Sequence, residues 1–368
     1  MFSSADHAYM AQALRLAERG MFSANPNPRV GCVVVQAGRI IGSGWHERAG
    51  QPHAEVNALN VAGLAARGAT VYVTLEPCSH YGLTPPCVEA LKHAGIAKVV
   101  MAMEDPNPLV SGKGCAWLRH SGIDVQSGLL GTEAGALNIG FVNRMLNKRP
   151  WIRSKVAASL DGKIALNNGF SQWITGKAAR QDGHRWRARS CAILTGIGTV
   201  KADDPRLSVR EIKTSRQPLK VVVDRYLEMP VDAKLLFGEN VLIFTADENA
   251  KKADVLRKKG AQVIGMPDGY GKVDLVKMMH KLADFGINEL LVEAGNKLNG
   301  ALVKADLIDE LVIFLAPHLL GERALGLIDL PELTSLDQKS SLEIQDLRMI
   351  GKDIRIIAKF SRNYSACL

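Results

Sequence analysis

The sequence has few aromatic residues and no long apolar run. Phe, Trp and Tyr together make up 5% of its 368 residues. No apolar stretch approaches the roughly 18 residues of a membrane-spanning helix, so we expect no membrane association. Nucleic-acid binding typically uses basic clusters interleaved with many aromatic residues, and because the aromatic content is so low we expect no nucleic-acid partner.

Most of the cysteines are far apart in the chain. The six are Cys32, Cys78, Cys87, Cys115, Cys191 and Cys367. This scatter argues against a disulfide framework. The first twenty residues, "MFSSADHAYMAQALRLAERG", have no basic start followed by an apolar core, and they predict an amphipathic helix rather than a signal peptide. We therefore expect a cytoplasmic enzyme.

The length of the chain favours two domains, because 368 residues exceed one typical compact core. Strand patterns alternate with helical patterns throughout, which indicates α/β domains whose sheets are covered on both faces. "VGCVVVQAGRIIGSGWH" predicts two strands that turn at Ala37-Gly38. "LNIGFVNRMLNKRP" predicts a closing helix that Pro150 ends. We place the domain boundary there, giving domains 1–148 and 149–368.

The net charge of +9 is unevenly distributed. Residues 1–148 hold 12 Lys+Arg and 10 Asp+Glu, a net charge of +2. The whole chain has 46 Lys+Arg and 37 Asp+Glu, so residues 149–368 hold 34 and 27 of them, a net charge of +7. The positive excess of the second half fits a site for anionic ligands such as phosphates.

A cluster of metal-ligand residue types marks the first half. His53 and Glu55 lie where a loop gives way to the predicted helix "AEVNAL", and Cys78 and Cys87 flank the start of the helix "PPCVEAL". Helix N-termini carry partial positive charge and favour thiolates. One imidazole and two thiolates leave the fourth position of a tetrahedral zinc ion open for water, which is typical of a catalytic site.

Glu55 then has a role as the group that moves protons between this water and a substrate nitrogen. His-x-Glu followed by Pro-Cys is the pattern of zinc-dependent nucleobase deaminases. Here eight residues, "SHYGLTPP", separate the two cysteines, where common deaminases have two. His80 in this insertion is a tempting fourth ligand, but we interpret it as a substrate-side residue because a fourth ligand would displace the water. The alternative is that His53-x-Glu55 arises by chance and the cysteines are core residues.

The second half contains no complete G-x-G-x-x-G. "AILTGIGTVKADD" offers Gly196 and Gly198, with Lys201 where a third glycine would stand. Its context is an apolar strand, then glycine, then a short helix, and "LLVEAGNKLNGAL" repeats this arrangement at Gly295. Two such turns suit one dinucleotide, held by its phosphates at helix N-termini. Each turn could also need glycine for its geometry alone.

These motifs together resemble the bifunctional pyrimidine deaminase/reductases of riboflavin biosynthesis. The first half carries "NPNPRVGCVVV", "GWHERAGQPHAEVNAL", "TLEPCSHYGLTPPC" and "EDPNPLVSGKG"; the second carries "KVAASLDGKIA", "SQWITG", "AILTGIGTVKADDPRLSVR" and "LLVEAGNKLNGAL". The resemblance covers nearly the whole chain. It implies a cytidine-deaminase-like N-terminal domain and a dihydrofolate-reductase-like C-terminal domain. The implied reactions are zinc-dependent deamination of 2,5-diamino-6-ribosylamino-4(3H)-pyrimidinone 5′-phosphate and NADPH-dependent reduction of the ribosyl group to ribityl.

The resemblance also implies residues that hold the deaminase substrate by its base and ribose phosphate. They are Asn27, His46, Asp105 and Asn107. In many relatives the position of Leu83 is basic and reaches the phosphate. Because it is Leu here, we expect another donor, either Lys113 or a backbone N–H, to make that contact.

For the second half the resemblance implies one cofactor set and one substrate set. The cofactor residues are Ala157, Trp173, Thr199, Asp203, Arg225, Gly295, Asn296, Lys297, Leu298, Asn299, Gly300 and Ala301. The substrate residues are Ser171, Arg187, Leu207, Arg210 and Glu293, with Lys155 and Asp161 flanking the hydride site. Arg187 and Arg210 make chemical sense as a clamp on the substrate phosphate. Arg225 is either a partner of the cofactor 2′-phosphate or a solvated charge.

Two rival functions remain at this point. One is a monofunctional nucleobase deaminase with an appended nucleotide-binding domain, against which the long loop between the cysteines and the second-half motifs argue. The other is a non-enzymatic nucleic-acid binder that uses the basic second half. For the bifunctional enzyme we expect a small-molecule pyrimidine ribose phosphate as the partner, and a homo-oligomer as the assembly.

Overall fold

The computed structural model describes residues 1–238, 240–247 and 249–361, and for Ala250 only the backbone. Cys367 lies outside the described residues. The chain divides into two compact units, Met1–Lys148 and Arg149–Leu368. Among the described residues, no helix combines the length and the apolar character needed to cross a membrane.

The first unit is a five-stranded sheet with helices on both faces. Its strands are β1 (Gly31–Gln36), β2 (Arg39–Trp45), β3 (Thr70–Val73), β4 (Lys98–Met101) and β5 (Asp124–Ser127). Its helices are α1 (Ser4–Glu18), α2 (Ala54–Ala62), α3 (Cys87–His93), α4 (Lys113–His120), α5 (Gly131–Leu137) and α6 (Ile139–Asn147), with a 3-10 turn at Gly63–Ala66. The strand order is β2-β1-β3-β4-β5. Strand β1 is antiparallel to both neighbours, whereas β3, β4 and β5 are parallel.

Alternating side chains of β1 bury both faces of this sheet. Cys32 and Val34 pack in the cluster that includes α2, α3 and α4, and Val33 and Val35 pack in the cluster that includes α1 and α5. This is the period-two alternation of a strand, with every member apolar because both faces are covered. The expectation of a sheet covered on both faces is thereby confirmed.

Close packing of helices on this sheet requires a glycine at Gly31. A Cβ atom there would lie 2.0 Å from the backbone oxygen of Ala13 in α1.

The predicted hairpin turn is also present, with positive φ at Ala37 (49°) and Gly38 (74°) between β1 and β2. Two successive positive φ angles match the right-handed twist of a tight hairpin.

The second unit is built on a nine-stranded sheet. Its strands are β6 (Trp151–Ser159), β8 (Ala192–Gly196), β9 (Leu219–Val223), β10 (Val241–Thr245), β11 (Ala261–Gly265), β12 (Glu289–Val292), β13 (Glu310–Ala316), β15 (Leu342–Ile350) and β16 (Asp353–Phe360). Strands β7 (Lys163–Ala165) and β14 (Leu325–Gly326) form a separate small pair. The helices are α7 (Lys177–Arg189), α8 (Ile197–Asp203), α9 (Ala250–Lys258), α10 (Leu275–Asp284) and α11 (Asn296–Lys304), with 3-10 turns at Lys234–Leu236 and Leu336–Gln338.

Two strand–glycine–helix turns, at Gly196 and Gly295, lie side by side in this sheet. The strand order is β11-β10-β9-β8-β12-β6-β13-β16-β15. Strands β8 and β12 are adjacent and parallel. Their carboxyl ends therefore share one edge of the sheet, where Gly196 precedes α8 and Gly295 precedes α11. In open sheets of this type, ligands bind outside the carboxyl ends of the strands.

Candidate active sites

Two helix N-termini bring together the predicted metal ligands in the first unit. His53 is the N-cap residue of α2, and Cys87 is the first residue of α3. His53 Nδ1 lies 3.2 Å from Cys87 Sγ and 3.5 Å from Cys78 Sγ. The ligand atoms of the three residues all lie within 4.8 Å of one another.

The electrostatics of this cluster favour a thiolate. The backbone N–H of Cys87, at the start of α3, donates to Cys78 Sγ at 3.3 Å. A hydrogen bond from the Cys87 thiol, together with His53 and this N–H, lowers the pKa of Cys78 to about 4. The pKa of Cys87 is raised, first by its hydrogen bond to Cys78 and then by burial.

Glu55 is buried in the first turn of α2, two residues after His53. Burial and the neighbouring Cys78 raise the pKa of Glu55 to about 7. A carboxyl group with a pKa near neutral can both accept and donate a proton, as general acid–base catalysis requires.

The donor set fits zinc. One imidazole nitrogen and two thiol sulfurs gathered within a few ångströms are the ligands of catalytic zinc sites, which keep a fourth position open. The other ring nitrogen of His53, Nε2, lies 3.5 Å from Thr84 Oγ1, where a second partner fixes the orientation of the ring. His80 is exposed and does not belong to the cluster.

A cavity of about 330 Å³, called the first cavity below, is lined by His53, Glu55 and Cys78. All the residues expected to contact the deaminase substrate also line it: Asn27, His46, His80, Asp105 and Asn107. Their roles remain predictions.

Hydrogen bonds hold two of these residues in place. Asn27 Nδ2 donates to His46 Nε2 at 3.0 Å, and His46 Nδ1 lies 3.3 Å from the backbone oxygen of Pro52. Burial lowers the pKa of His46, which favours the neutral ring that this pattern requires.

The loop of Asp105 is held by Glu76, which accepts from the backbone N–H groups of Asp105, Gly112 and Cys115 at 3.0–3.1 Å.

The sequence analysis missed one part of the first cavity. Phe141, Arg144 and Met145 of α6 line it, although the sequence indicated only a closing helix there. Their spacing of three and four residues could have suggested a common helix face, but nothing in the sequence shows what that face covers.

Lys113, named as an alternative phosphate donor, does not line the cavity; its Nζ donates to the backbone oxygen of Leu109 at 2.6 Å.

The second unit contains a larger cavity of about 1430 Å³, called the second cavity below. It extends along the edge where Gly196 and Gly295 precede their helices. Most of the predicted cofactor residues line it: Ala157, Trp173, Thr199, Asp203, Arg225, Gly295, Asn296, Lys297, Leu298 and Ala301. So do Lys155, Ser171, Arg187, Leu207, Arg210 and Glu293 from the substrate set.

Three predicted residues do not line the second cavity. Asn299 is fully buried, with Ser154 Oγ donating to its Oδ1 at 2.9 Å, and Gly300 lies so close to Asp329 that a Cβ atom would meet its backbone oxygen at 2.0 Å. Asp161 is exposed and accepts hydrogen bonds from Ser159 Oγ and from the backbone N–H groups of Leu320 and Gly321. These contacts indicate that all three residues support the structure around the cavity.

A carboxylate among cations is the main electrostatic feature of the second cavity. Arg187 donates to Glu293 through Nε at 2.5 Å and Nη2 at 2.9 Å, and Lys155 Nζ lies 3.8 Å from the same carboxylate. Arg187, expected as half of a phosphate clamp, thus already has an anionic partner. Arg210 is exposed, and its Nη1 donates to Ser208 Oγ at 3.1 Å.

Several basic residues of the second cavity were not singled out from the sequence: Arg180, His184, Arg206 and Lys272. His184 Nδ1 accepts from the backbone N–H of Arg210 at 3.3 Å, so it fixes the loop that carries Arg210. Arg206 belongs to the quoted motif "AILTGIGTVKADDPRLSVR", so its place in this motif was the available signal.

Comparisons with known proteins match both units. The family described as "RibD C-terminal domain" matches residues 150–355, and "Cytidine and deoxycytidylate deaminase zinc-binding region" matches residues 3–103. "Riboflavin biosynthesis protein RibD" of Escherichia coli (strain K12) is 45% identical over 95% of this chain and 98% of its own. The protein of the same name from Aquifex aeolicus (strain VF5) is 42% identical over 98% of this chain and 99% of its own.

Solved structures agree along the whole chain. "Acinetobacter baumannii RibD, form 1" superposes with a TM-score of 0.91 at 42% identity, covering 97% of this chain and 99% of that one. A diaminohydroxyphosphoribosylaminopyrimidine deaminase/5-amino-6-(5-phosphoribosylamino)uracil reductase from Thermotoga maritima superposes with a TM-score of 0.86 at 33% identity, with the same coverage.

Proposed function

The chain belongs to the RibD family of bifunctional deaminase–reductases of riboflavin biosynthesis, and we propose that its two reactions take place in the two cavities, deamination in the first and reduction in the second. It is both a hydrolase and an oxidoreductase, and its cofactors are Zn²⁺ and NADPH. A monofunctional deaminase is set aside, because the RibD C-terminal domain matches the second half of the chain.

The first reaction removes ammonia from 2,5-diamino-6-ribosylamino-4(3H)-pyrimidinone 5′-phosphate. His53, Cys78 and Cys87 would hold the zinc ion, which would supply the Lewis acidity that makes water nucleophilic near neutral pH. Glu55 accepts a proton from the attacking water and returns it to the departing amino group. The pKa of about 7 supports this role, since the same carboxyl group must be base and then acid.

The residues around Glu55 orient the base and the ribose. Asn27 and the neutral His46 form a hydrogen-bonded pair beside the metal ligands. Asp105 and Asn107 belong to a loop held by Glu76, and the backbone N–H of Asn107 donates to Asp105 Oδ1 at 2.8 Å. Side chains held in this way bind a substrate in one orientation with little loss of entropy.

The second reaction reduces the ribosyl group of the deaminated product, and NADPH supplies the hydride. Gly196 and Gly295 would leave space for the dinucleotide at the sheet edge, where the N-terminus of α11 would suit one of its phosphates. Thr199, Asp203, Trp173 and the lining residues of α11 complete this region. Arg225 binds the 2′-phosphate; its Nε donates to the backbone oxygen of Gly271 at 2.7 Å, which orients the guanidinium.

Lys155 is the proton donor that we propose for reduction. It lines the second cavity, and burial lowers its pKa, so it releases a proton more readily than an exposed lysine. Asp161, the other candidate, does not line the cavity. Arg210 binds the substrate phosphate, while Arg187 keeps Glu293 ionised and orients the loop through a hydrogen bond to the backbone oxygen of Ser208 at 3.2 Å.

The observation that carries this proposal is the coexistence of a His–Cys–Cys cluster with a buried Glu55 in one unit and a large cavity at paired strand–glycine–helix turns in the other. The test is zinc analysis of the purified chain together with NADPH-dependent turnover of the diaminopyrimidine phosphate. A chain that contains zinc, releases ammonia and oxidises NADPH supports the proposal. Ammonia release without NADPH oxidation would contradict the second half of it.

We also propose that the chain forms a homo-oligomer. The edge strand β15 exposes four large apolar side chains, Leu342, Ile344, Leu347 and Met349, each more than 40% accessible. Such a row is costly to leave in water and suits the matching strand of a second copy. Light scattering should give a mass that is a multiple of 39.9 kDa, falling to the single-chain value in Ile344→Glu. A wild-type chain of single mass would exclude the homo-oligomer.

A further inference from the structure

The first cavity must provide hydrogen-bond donors for the phosphate of its substrate, an inference that rests on the proposed deamination of a pyrimidine ribose phosphate. Leu83 lines the cavity but has no charge and is 88% exposed. Lys113 does not line it, and its Nζ already donates to the backbone oxygen of Leu109. Lys113, the side-chain donor that the sequence analysis named, is therefore not placed to bind the phosphate.

Helix α6 contributes such a donor. Phe141, Arg144 and Met145 all line the first cavity, and their spacing puts them on one face of the helix. Among the described residues that line this cavity, Arg144 is the one Lys or Arg. A guanidinium group is the side chain best suited to a phosphate, because its fork of N–H donors can bind two oxygens at once.

The position of this helix face is fixed by buried contacts. Asn138, just before α6, is 2% exposed and exchanges two hydrogen bonds with the backbone of Arg29. The backbone N–H of Arg29 donates to Asn138 Oδ1 at 2.8 Å, and Asn138 Nδ2 donates to the oxygen of Arg29 at 2.9 Å. Arg29 directly follows Asn27 and Pro28, which line the cavity. The pair therefore fixes α6 against the segment that carries Asn27.

The imidazoles near the metal ligands are less suitable phosphate donors. His53 is one of the three residues that fit zinc, and its Nδ1 faces both thiols. His46 has both ring nitrogens engaged, with Asn27 and with the backbone of Pro52. Arg144, by contrast, comes from a helix outside the metal cluster, as suits a group that binds the end of the substrate remote from the reacting ring.

We propose that Arg144 binds the 5′-phosphate of the deaminase substrate and is the residue by which the first cavity selects phosphorylated over dephosphorylated compounds. The role is binding and specificity, without participation in the chemical step. Loss of the guanidinium should therefore act on KM far more than on kcat.

The experiment compares ammonia release from the 5′-phosphate and from its dephosphorylated nucleoside in the wild type, Arg144→Ala and Lys113→Ala. We expect Arg144→Ala to raise KM for the phosphate about ten- to a hundredfold, the range for a lost charged hydrogen bond. KM for the nucleoside should stay within about threefold, as expected of a position that contacts the phosphate alone. Lys113→Ala removes a cation that does not line the cavity, so it should leave both values unchanged, and Arg144→Lys should recover part of the loss.

Zinc content and NADPH oxidation with the deaminated intermediate serve as folding controls. If Arg144→Ala loses zinc, Arg144→Gln and Arg144→Lys replace it in the same comparison. Inorganic phosphate should inhibit deamination of the 5′-phosphate competitively in the wild type, and this inhibition should be much weaker in the Arg144 variants. Equal loss for phosphate and nucleoside, or no loss for either, would overturn the assignment of Arg144 while leaving the proposed function intact. A wild-type chain that deaminates neither compound would overturn both.

Discussion

Arg187 of α7 and Glu293, the residue after β12, form a two-point ion pair inside the second cavity. The guanidinium donates through Nε and Nη2 to the two carboxylate oxygens at 2.5 and 2.9 Å, with Lys155 on the same carboxylate. Although burial opposes ionisation of Glu293, Arg187 and Lys155 hold its pKa at about 2. The carboxylate thus stays charged wherever the protein is folded near neutral pH.

Glu293→Gln should destabilise the second unit, because it leaves two cations without their shared anion. The three side chains are only 12–21% exposed. Removing one partner of such a pair costs about 3 kcal/mol, which for a domain of this size lowers Tm by about 10 °C. Calorimetry should show this shift. Lys201→Ala, in a pair of similar length whose side chains are 46% and 43% exposed, is the control and should change stability by less than about 0.5 kcal/mol.

The stability difference between wild type and Glu293→Gln should depend on pH in one direction. A carboxyl group whose pKa falls from 4.5 to about 2 on folding contributes its full stabilisation above pH 4.5. That contribution is lost as the pH falls through about 2. The difference in stability between wild type and Glu293→Gln should be constant from neutral pH down to pH 4.5, and it should shrink below pH 4.5. A difference that disappears above pH 5 would be inconsistent with the ion pair.

Cys78→Ser should strip zinc from the chain and abolish ammonia release, because it removes one of three ligands. Metal analysis should fall from one zinc per chain to near zero. Cys115→Ala is the matched control: this thiol is buried outside the cluster, with its Sγ 3.4 Å from Met101 Sδ, so zinc should be retained. Full zinc and activity in Cys78→Ser would show that the ligand assignment is wrong.

Glu55→Gln should keep zinc and lose deamination by at least about a hundredfold, the usual scale of general acid–base catalysis. The amide has nearly the same shape but cannot move protons. Zinc content and ammonia release should be measured on the same preparation. A near-normal rate would remove Glu55 from the mechanism.

Arg210→Ala should raise KM for the reductase substrate about ten- to a hundredfold, which corresponds to the 1.5–3 kcal/mol of a charged hydrogen bond. NADPH affinity should change little, and Arg225→Ala should show the reverse pattern. Deamination should be unaffected in both variants. If Arg210→Ala instead weakens NADPH binding and spares substrate affinity, the two anion sites have been exchanged.

The metal ligands and Glu55 could be predicted because they form a local pattern. His53 and Glu55 are separated by one residue at a helix start, and the two ligand cysteines, Cys78 and Cys87, each follow a proline. Strand β1 and the tight turn at Ala37-Gly38 could be predicted for the same reason, because side-chain periodicity and turn residues are local features of the sequence. The two glycine turns were visible as well, but their adjacency depends on β12 pairing with β8, which the sequence order does not reveal.

Contacts between distant residues account for what the sequence could not provide. Arg187 and Glu293 are 106 positions apart, so the sequence did not reveal their ion pair, and the expected role of Arg187 in a phosphate clamp stays a prediction. Arg144 belongs to a helix whose place depends on Asn138 and Arg29, which are 109 positions apart. Asp161 was expected at the hydride site from the motif around it, yet its carboxylate is occupied by the backbone of Leu320 and Gly321. In each case contacts between residues distant in sequence determine the surroundings of the side chain.

The most direct test of the account, two reactions at two separate sites in one chain, is NADPH oxidation before and after zinc is removed by a chelator. Two substrates are compared, the diaminopyrimidine phosphate and its deaminated product, in the full chain and in a fragment of residues 149–368. We expect zinc removal to abolish NADPH oxidation with the first substrate and to leave it unchanged with the second. The fragment should reduce only the second substrate, with or without chelator. Chelator-sensitive reduction of the deaminated product, or undiminished NADPH oxidation with the diaminopyrimidine after zinc removal, would contradict the account.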